Sequence, residues 1–374
     1  MRLSALLTAV LVCALLCTFC AADEAPLVSP GDVTDAISSA VGADNLENLL
    51  PGSASGIDVS GIKSVASDPS GYKSVISFLL DSLSNAVKKE AEGLSSVLFP
   101  ILVTSAVLIL RESFGFDGEI WKFVSGACVC AACAGMLKGA ASAVESYVTD
   151  IHTLISGMVP VMASVYAMSG QVTTSALQST VIVSALEFLQ SLCADYLIPG
   201  ARILFALTVA DAVSSSNLRR VTAFMKNAVI AGEIAVMTVL TTVLYFQTVI
   251  SSSGDFVLLK GARFAAGKFI PVIGSLVSEA AKTVASCLGV VRSFTGFFGI
   301  AAVVGIGAAP FFSVISKKIV FSICRAAAGI LGNERAERIT DGFVSAIDIL
   351  ASFLASSSVF FIIAMALFMR SFGE

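Results

Sequence analysis

The sequence predicts an all-α polytopic membrane protein, and three observations carry that reading. The chain is 56% apolar and only 13% charged, its mean hydropathy is +0.91, and uncharged apolar runs recur along it at lengths that suit a bilayer. A soluble chain carries roughly 25% charged residues to cover its surface; this one has 23 Lys+Arg and 27 Asp+Glu in 374 residues. A soluble enzyme is therefore excluded. A net charge of −4 with no basic, aromatic-interleaved patch gives no nucleic-acid partner. The single histidine, His152, leaves little scope for a Ser-His triad or a His-based metal site. Of nine cysteines, Cys13, Cys17 and Cys20 lie in the leader and the rest in apolar stretches, so no disulfide framework is implied. The expectation is a protein without enzymatic activity or cofactor.

Residues 1–22 read as a secretory signal peptide: Arg2, an apolar run, then small Cys20 and Ala22 before Asp23, with cleavage expected after Ala22. An uncleaved signal anchor is the other reading. From Asp23 to Tyr72 the chain is acidic and rich in Ser, Gly and Pro, the composition of a loose exported spacer, with a short helix expected near 33–50. Beyond Pro69, Ile76, Leu79, Leu80, Leu83 and Val87 share one helical face, while Lys73, Asp81, Ser84 and Lys88 fall elsewhere. This amphipathic helix is expected on the outer membrane surface or against a partner, and it closes an extracytoplasmic region 23–93.

A helix needs about 20 apolar residues to cross roughly 30 Å of hydrocarbon. Eight windows qualify as candidate spans: 94–110, 123–144, 151–169, 177–198, 199–216, 227–250, 294–316 and 343–369. With an exported N-terminus, Arg111 and Lys122, then Arg219, Arg220 and Lys226, then Lys317, Lys318 and Arg325 fall in cytoplasmic loops, as the positive-inside rule requires. The loop with Glu145 and Asp150, and the one ending in Asp255, fall outside. The expected bundle has about seven to eight transmembrane helices, in a first region 94–255 and a C-terminal region 293–374.

Between these regions, 256–292 carries Lys260, Arg263, Lys268, Glu279, Lys282 and Arg292, too much charge for a lipid-facing span. It reads as a Pro-hinged amphipathic or re-entrant helix pair, bent at Pro271.

Three constellations stand out within the spans. Ala127, Ala131, Gly135, Gly139 and Ala143 recur every fourth residue, a flat ladder that suits either internal helix packing or a homo-oligomer. Cys128, Cys130 and Cys133 lack the fourth ligand of a closed metal site and read as small hydrophobes. The run from Gly305 to Pro310 lies inside a hydrophobic span, so it lacks the strand–turn–helix context of a nucleotide loop. Among ionisable residues near the spans, Glu187, Asp195 and Glu233 form a candidate polar pathway. Arg202, Asp211 and Asp348 complete the set, and helix–helix pairing with interfacial snorkelling is the competing account.

The passage from Asp255 through Lys260 to Phe269-Ile270-Pro271-Val272-Ile273-Gly274, then Glu279 and Thr283, with Cys287 and Gly289 beyond, resembles the stage III sporulation protein AE family of endospore-forming bacteria. The likeness extends more loosely from the leader to Met369. One departure is Lys282, standing after Glu279 where the family often has a further acid. The resemblance implies a multipass protein of the mother-cell-derived membrane around the engulfed forespore, its mature N-terminus extracytoplasmic. It further implies a channel-like or secretion-like complex with sister subunits, among them an ATPase and ring-forming membrane proteins. An ion-coupled small-molecule permease, lined by Glu187, Glu233 and the Pro271 hinge, is the alternative. No inverted repeat of the kind that builds such carriers is evident.

Overall fold

A computed structural model describes residues 72–114, 118–214, 219–269 and 274–369. The leader, the acidic spacer and the joint at Ile270 and Pro271 lie outside the described residues. All regular structure among them is helical: α1 (Tyr72–Phe114), α2 (Gly118–Met168), α3 (Val172–Ser191), a π-helical turn (Leu192–Leu197), α4 (Ile198–Ser214), α5 (Arg219–Phe269), α6 (Gly274–Ile330) and α7 (Glu334–Met369).

Six of these helical stretches are long and apolar enough to cross a membrane. The eight windows condense because two pairs lie on single helices. Windows 123–144 and 151–169 belong to one stretch, Phe123–Met168, of 46 residues. At about 1.5 Å per residue it is roughly 70 Å long, more than twice the hydrocarbon thickness. Glu145 and Asp150, expected in an outer loop, are therefore mid-helix. No glycine or proline separates them, and Glu145 is exposed and Asp150 half-buried, so neither forces a break.

Windows 177–198 and 199–216 likewise join, as Val172–Ala212. Pro199 lacks an amide proton and its ring crowds the carbonyl four residues back. The π turn Leu192–Leu197 widens the helix just before it, which lets the chain continue rather than stop.

The expected hinged pair is continuous with its neighbours: its first half is the end of α5 and its second the start of α6. The amphipathic segment is likewise the first part of α1, which packs on α6 and α2, and Val87 of its apolar face is exposed. The basic stretch 317–342, expected as a loop, is helix up to Ile330 and again from Glu334.

Two tight turns organise the bundle. Gly170 (φ 83°) and Gly332 (φ 68°) sit in the left-handed region, where only glycine enters without strain. At each, the amide three residues past the helix reaches back across the last turn: Gln171 N–H to Tyr166 O and Asn333 N–H to Ala328 O, both 2.9 Å. These are Schellman turns, and they fold α2 onto α3 and α6 onto α7. The centre is the α6–α7 hairpin. α7 touches α2, α4, α5 and α6, and Phe343, Phe353, Phe360, Phe361 and Phe368 on it are fully buried. Phe343 stacks on Phe321 of α6 at 3.7 Å between ring centroids.

Candidate functional site

Asp255, the first residue of the sequence motif, is buried near the far end of α5. Its carboxylate accepts the amide hydrogens of Thr173 (3.3 Å) and Thr174 (2.8 Å). α3 has no side-chain cap of its own, because Gln171 at its N-cap makes no such bond. A carboxylate from a distant helix therefore satisfies two of the orphan donors and meets the positive end of the helix dipole. This contact also fixes topology: the 169–171 turn and the end of α5 lie at the same end of the bundle. The eight-window scheme placed them on opposite sides.

Arg292 lies at that end too. It is buried, and donates from Nη2 to the Tyr166 hydroxyl at 2.9 Å and from Nε to the Phe368 carbonyl. Its guanidinium lies 4.4 Å from the Tyr166 ring centroid, a contact that compensates part of the lost hydration. The other motif residues divide. Lys260 is exposed, with its ammonium 4.2 Å from the Phe256 ring centroid. Phe269 closes α5 and Gly274 opens α6. Glu279 and Thr283 lie on the first turns of α6.

The three acids of the candidate polar pathway do not come together. Glu187 and Asp195 are exposed, Asp195 accepting from Ser191 at 2.8 Å. Glu233 is 4% exposed and faces α7, where Oε1 accepts from Ser356 (2.7 Å) and Ser352 (3.3 Å). Its Oε2 is buried without a partner.

Below Ser352, one helical turn along α7, Asp348 is held by Lys226 of α5 and Lys318 of α6. Above it, Ser357 and Ser358 bond the Tyr147 hydroxyl of α2, the latter at 2.8 Å. α7 thus carries a file of polar groups through an otherwise aromatic core. Two further ties serve the opposite end. Glu90 of α1 is buried against Lys317 and Ser313 of α6. Asn333, 2% exposed, accepts from the Ala336 amide and donates toward Thr104, Ser105 and Ser125.

Sequence reasoning missed Asn333, Tyr147 and the Glu90–Lys317 pair. Only Asn333 had a local signal: Gly332-Asn333-Glu334 reads as a helix stop followed by a cap.

The small-residue ladder faces outward. Ala131, Gly135 and Gly139 are exposed and Ala143 is half-buried; a Cβ added at Gly135 or Gly139 would meet no atom within 4 Å. Internal packing does not account for it. Of the three neighbouring cysteines, Cys133 is buried, Cys130 half-buried and Cys128 exposed. Among the described residues, no cluster of His, Cys, Asp and Glu is placed to hold a metal. Two cavities, beside Tyr166 and beside Tyr147, each hold about 10 Å³, about the room one water needs.

Comparison with known proteins follows the same residues. The family model described as stage III sporulation protein AE matches residues 65–371. A curated relative, "Stage III sporulation protein AE" of Bacillus subtilis (strain 168), is 23% identical over 192 residues, an aligned stretch covering 50% of this chain and 48% of the relative. The match thus spans about half the length of that relative. No solved structure matches. With the family model covering α1 to α7 and the Asp255 motif inside it, the chain belongs to the stage III sporulation protein AE family.

Proposed function

We propose that this chain is an integral membrane subunit of a channel or secretion-like complex joining mother cell and forespore, required for forespore development after engulfment. It sits in the mother-cell-derived membrane with its mature N-terminus extracytoplasmic. The end bearing the 331–333 turn faces the mother-cell cytoplasm, because Lys317, Lys318 and Arg325 lie toward that end of α6 and Lys226 lies beside Lys318. Its partners are sister subunits of the complex, an ATPase and ring-forming membrane proteins, and further copies of itself.

The observation that carries this reading, beside family membership, is the outer face of α2. Ala131, Gly135 and Gly139 present a flat, unoccupied stripe, and Lys138 and Glu145 are exposed beside it. A charge facing lipid at mid-span costs about 2.5–3.5 kcal/mol; a neighbouring protein surface relieves that cost, and a flat stripe lets helix backbones approach.

The test is an in-frame deletion complemented by this gene, scored by spore yield and forespore shape after engulfment. Arrest rescued by the gene supports the reading, and normal spores without it refute it. A Gly135→Leu/Gly139→Leu chain, whose new side chains point away from the core, is expected to accumulate normally and fail to rescue.

A further inference from the structure

We propose that Glu233, with Ser352 and Ser356, is a proton-binding site within the bundle, served from the end where Lys226 and Lys318 hold Asp348. The site is independent of the assembly role above. Glu233 lies inside the Arg220–Leu258 span, is 4% exposed, and directs one carboxylate oxygen at two α7 hydroxyls while the other has no partner. A buried carboxylate with one unsatisfied oxygen is strongly disfavoured in an apolar medium. The group is stable there when it carries a proton.

An alkali cation is a poorer occupant. Such sites in membrane proteins draw on unwound backbone carbonyls, whereas α5 and α7 are unbroken helices around Glu233. Both serine hydroxyls already donate to Oε1.

Charged groups on every packed neighbour bear on the site. Asp348 is on α7, one turn from Ser352, and Lys318 on α6; Lys226 is two turns away on α5 itself. Asp211 of α4 is buried, and Glu187 of α3 and Asp195 of the π turn are exposed. The ion-paired trio is partly exposed, the side chains of Lys226, Lys318 and Asp348 being 23%, 25% and 20% accessible. Partly exposed charges are stable only where water or lipid headgroups can reach them, so the trio marks the hydrated side of the site, and Asp348 and Ser352 form the approach. Loss of the proton requires either water entry or separation of α5 from α7. Protonation thus controls the seating of α5, whose span is only 22% buried.

The test uses the full chain in sealed, oriented vesicles treated with dicyclohexylcarbodiimide, which adds to protonated carboxyl groups in apolar surroundings, followed by peptide mass mapping. The expected result is an adduct on Glu233, absent in Glu233→Gln, whose yield falls as pH is raised in the bath facing the Lys226–Lys318 end. Ser352→Ala/Ser356→Ala, which removes the hydroxyls that stabilise the carboxylate, should carry labelling to higher pH. No adduct at any pH, a yield indifferent to pH, control by the opposite bath, or protection by sodium at constant pH would each overturn the proposal.

Discussion

The α6–α7 hairpin and helix α5 are made of similarly apolar sequence and meet different surroundings. Their spans have mean hydropathies of 2.1, 2.2 and 1.9, yet 56% and 67% of the hairpin windows are buried against 22% for α5. In lipid, an apolar side chain is as well solvated by acyl chains as by protein, so hydropathy reports insertion and not packing. Shape makes the difference. The hairpin carries Phe298, Phe321, Phe343 and Phe353 at full burial, and glycines where partners press closest. A Cβ on Gly342 would lie 2.2 Å from the Thr208 side chain. α5 carries Val239, Phe246 and Ile250 outward instead.

The comparison is sharpest in paired substitutions. Phe343→Ala is expected to lower stability most, by about 3 kcal/mol, the low end for such a truncation because lipid also solvates the ring. Phe246→Ala, at a residue 58% exposed, should stay within about 0.5 kcal/mol of the parent. Thermal aggregation in detergent reads both, and similar losses would break the distinction.

Next is Gly342→Ala, which drives a methyl into Thr208, itself buried and bonded to Leu204 O; overpacking of this kind costs about 1–3 kcal/mol. Gly139→Ala should do the reverse in the isolated chain, gaining about 0.5–1 kcal/mol of helix preference because its new Cβ meets nothing. Asn333→Ala should cost about 1–2 kcal/mol and speed hydrogen exchange in the first turn of α7. A loss of about 1 kcal/mol is expected for Asp255→Ala, seen as faster exchange at Thr173 and Thr174 with the hairpin core unchanged.

Much of the helical architecture was legible in the sequence. Apolar windows marked every crossing helix, and charge placed Lys226, Lys317, Lys318 and Arg325 at one end, where the Asp348 pairs join α5, α6 and α7. Merging two pairs of windows removes one crossing from each pair, so the sidedness of these basic ends is preserved while the 169–171 turn changes side. The breaks at Glu145–Asp150 and at Pro199 were misread because neither acids nor a proline states which way the helix surface faces. An exposed Glu145, a half-buried Asp150 and a π turn let the helices run on.

The candidate site was legible by halves. Glu233 stands out in any sequence scan as an acid within an apolar run. Ser352 and Ser356 do not, since serine is unremarkable in a membrane helix and these lie 119 and 123 residues away. Glu187, near the middle of its window and by that measure the stronger candidate, is exposed instead.

By itself the sequence determined the solvent, the helical class and the charged ends, because the cost of placing charge or unpaired backbone in hydrocarbon is a property of residues and their neighbours. The turns at Gly170 and Gly332 also have a local cause, since glycine alone enters the left-handed region without strain, although the apolar windows singled out neither of these glycines. Only the tertiary structure decided which apolar face meets protein, which acid is sealed inside, and that Asp255 caps α3. Those outcomes depend on shape and hydrogen-bond partners brought together from distant helices, and a linear pattern of hydropathy carries neither.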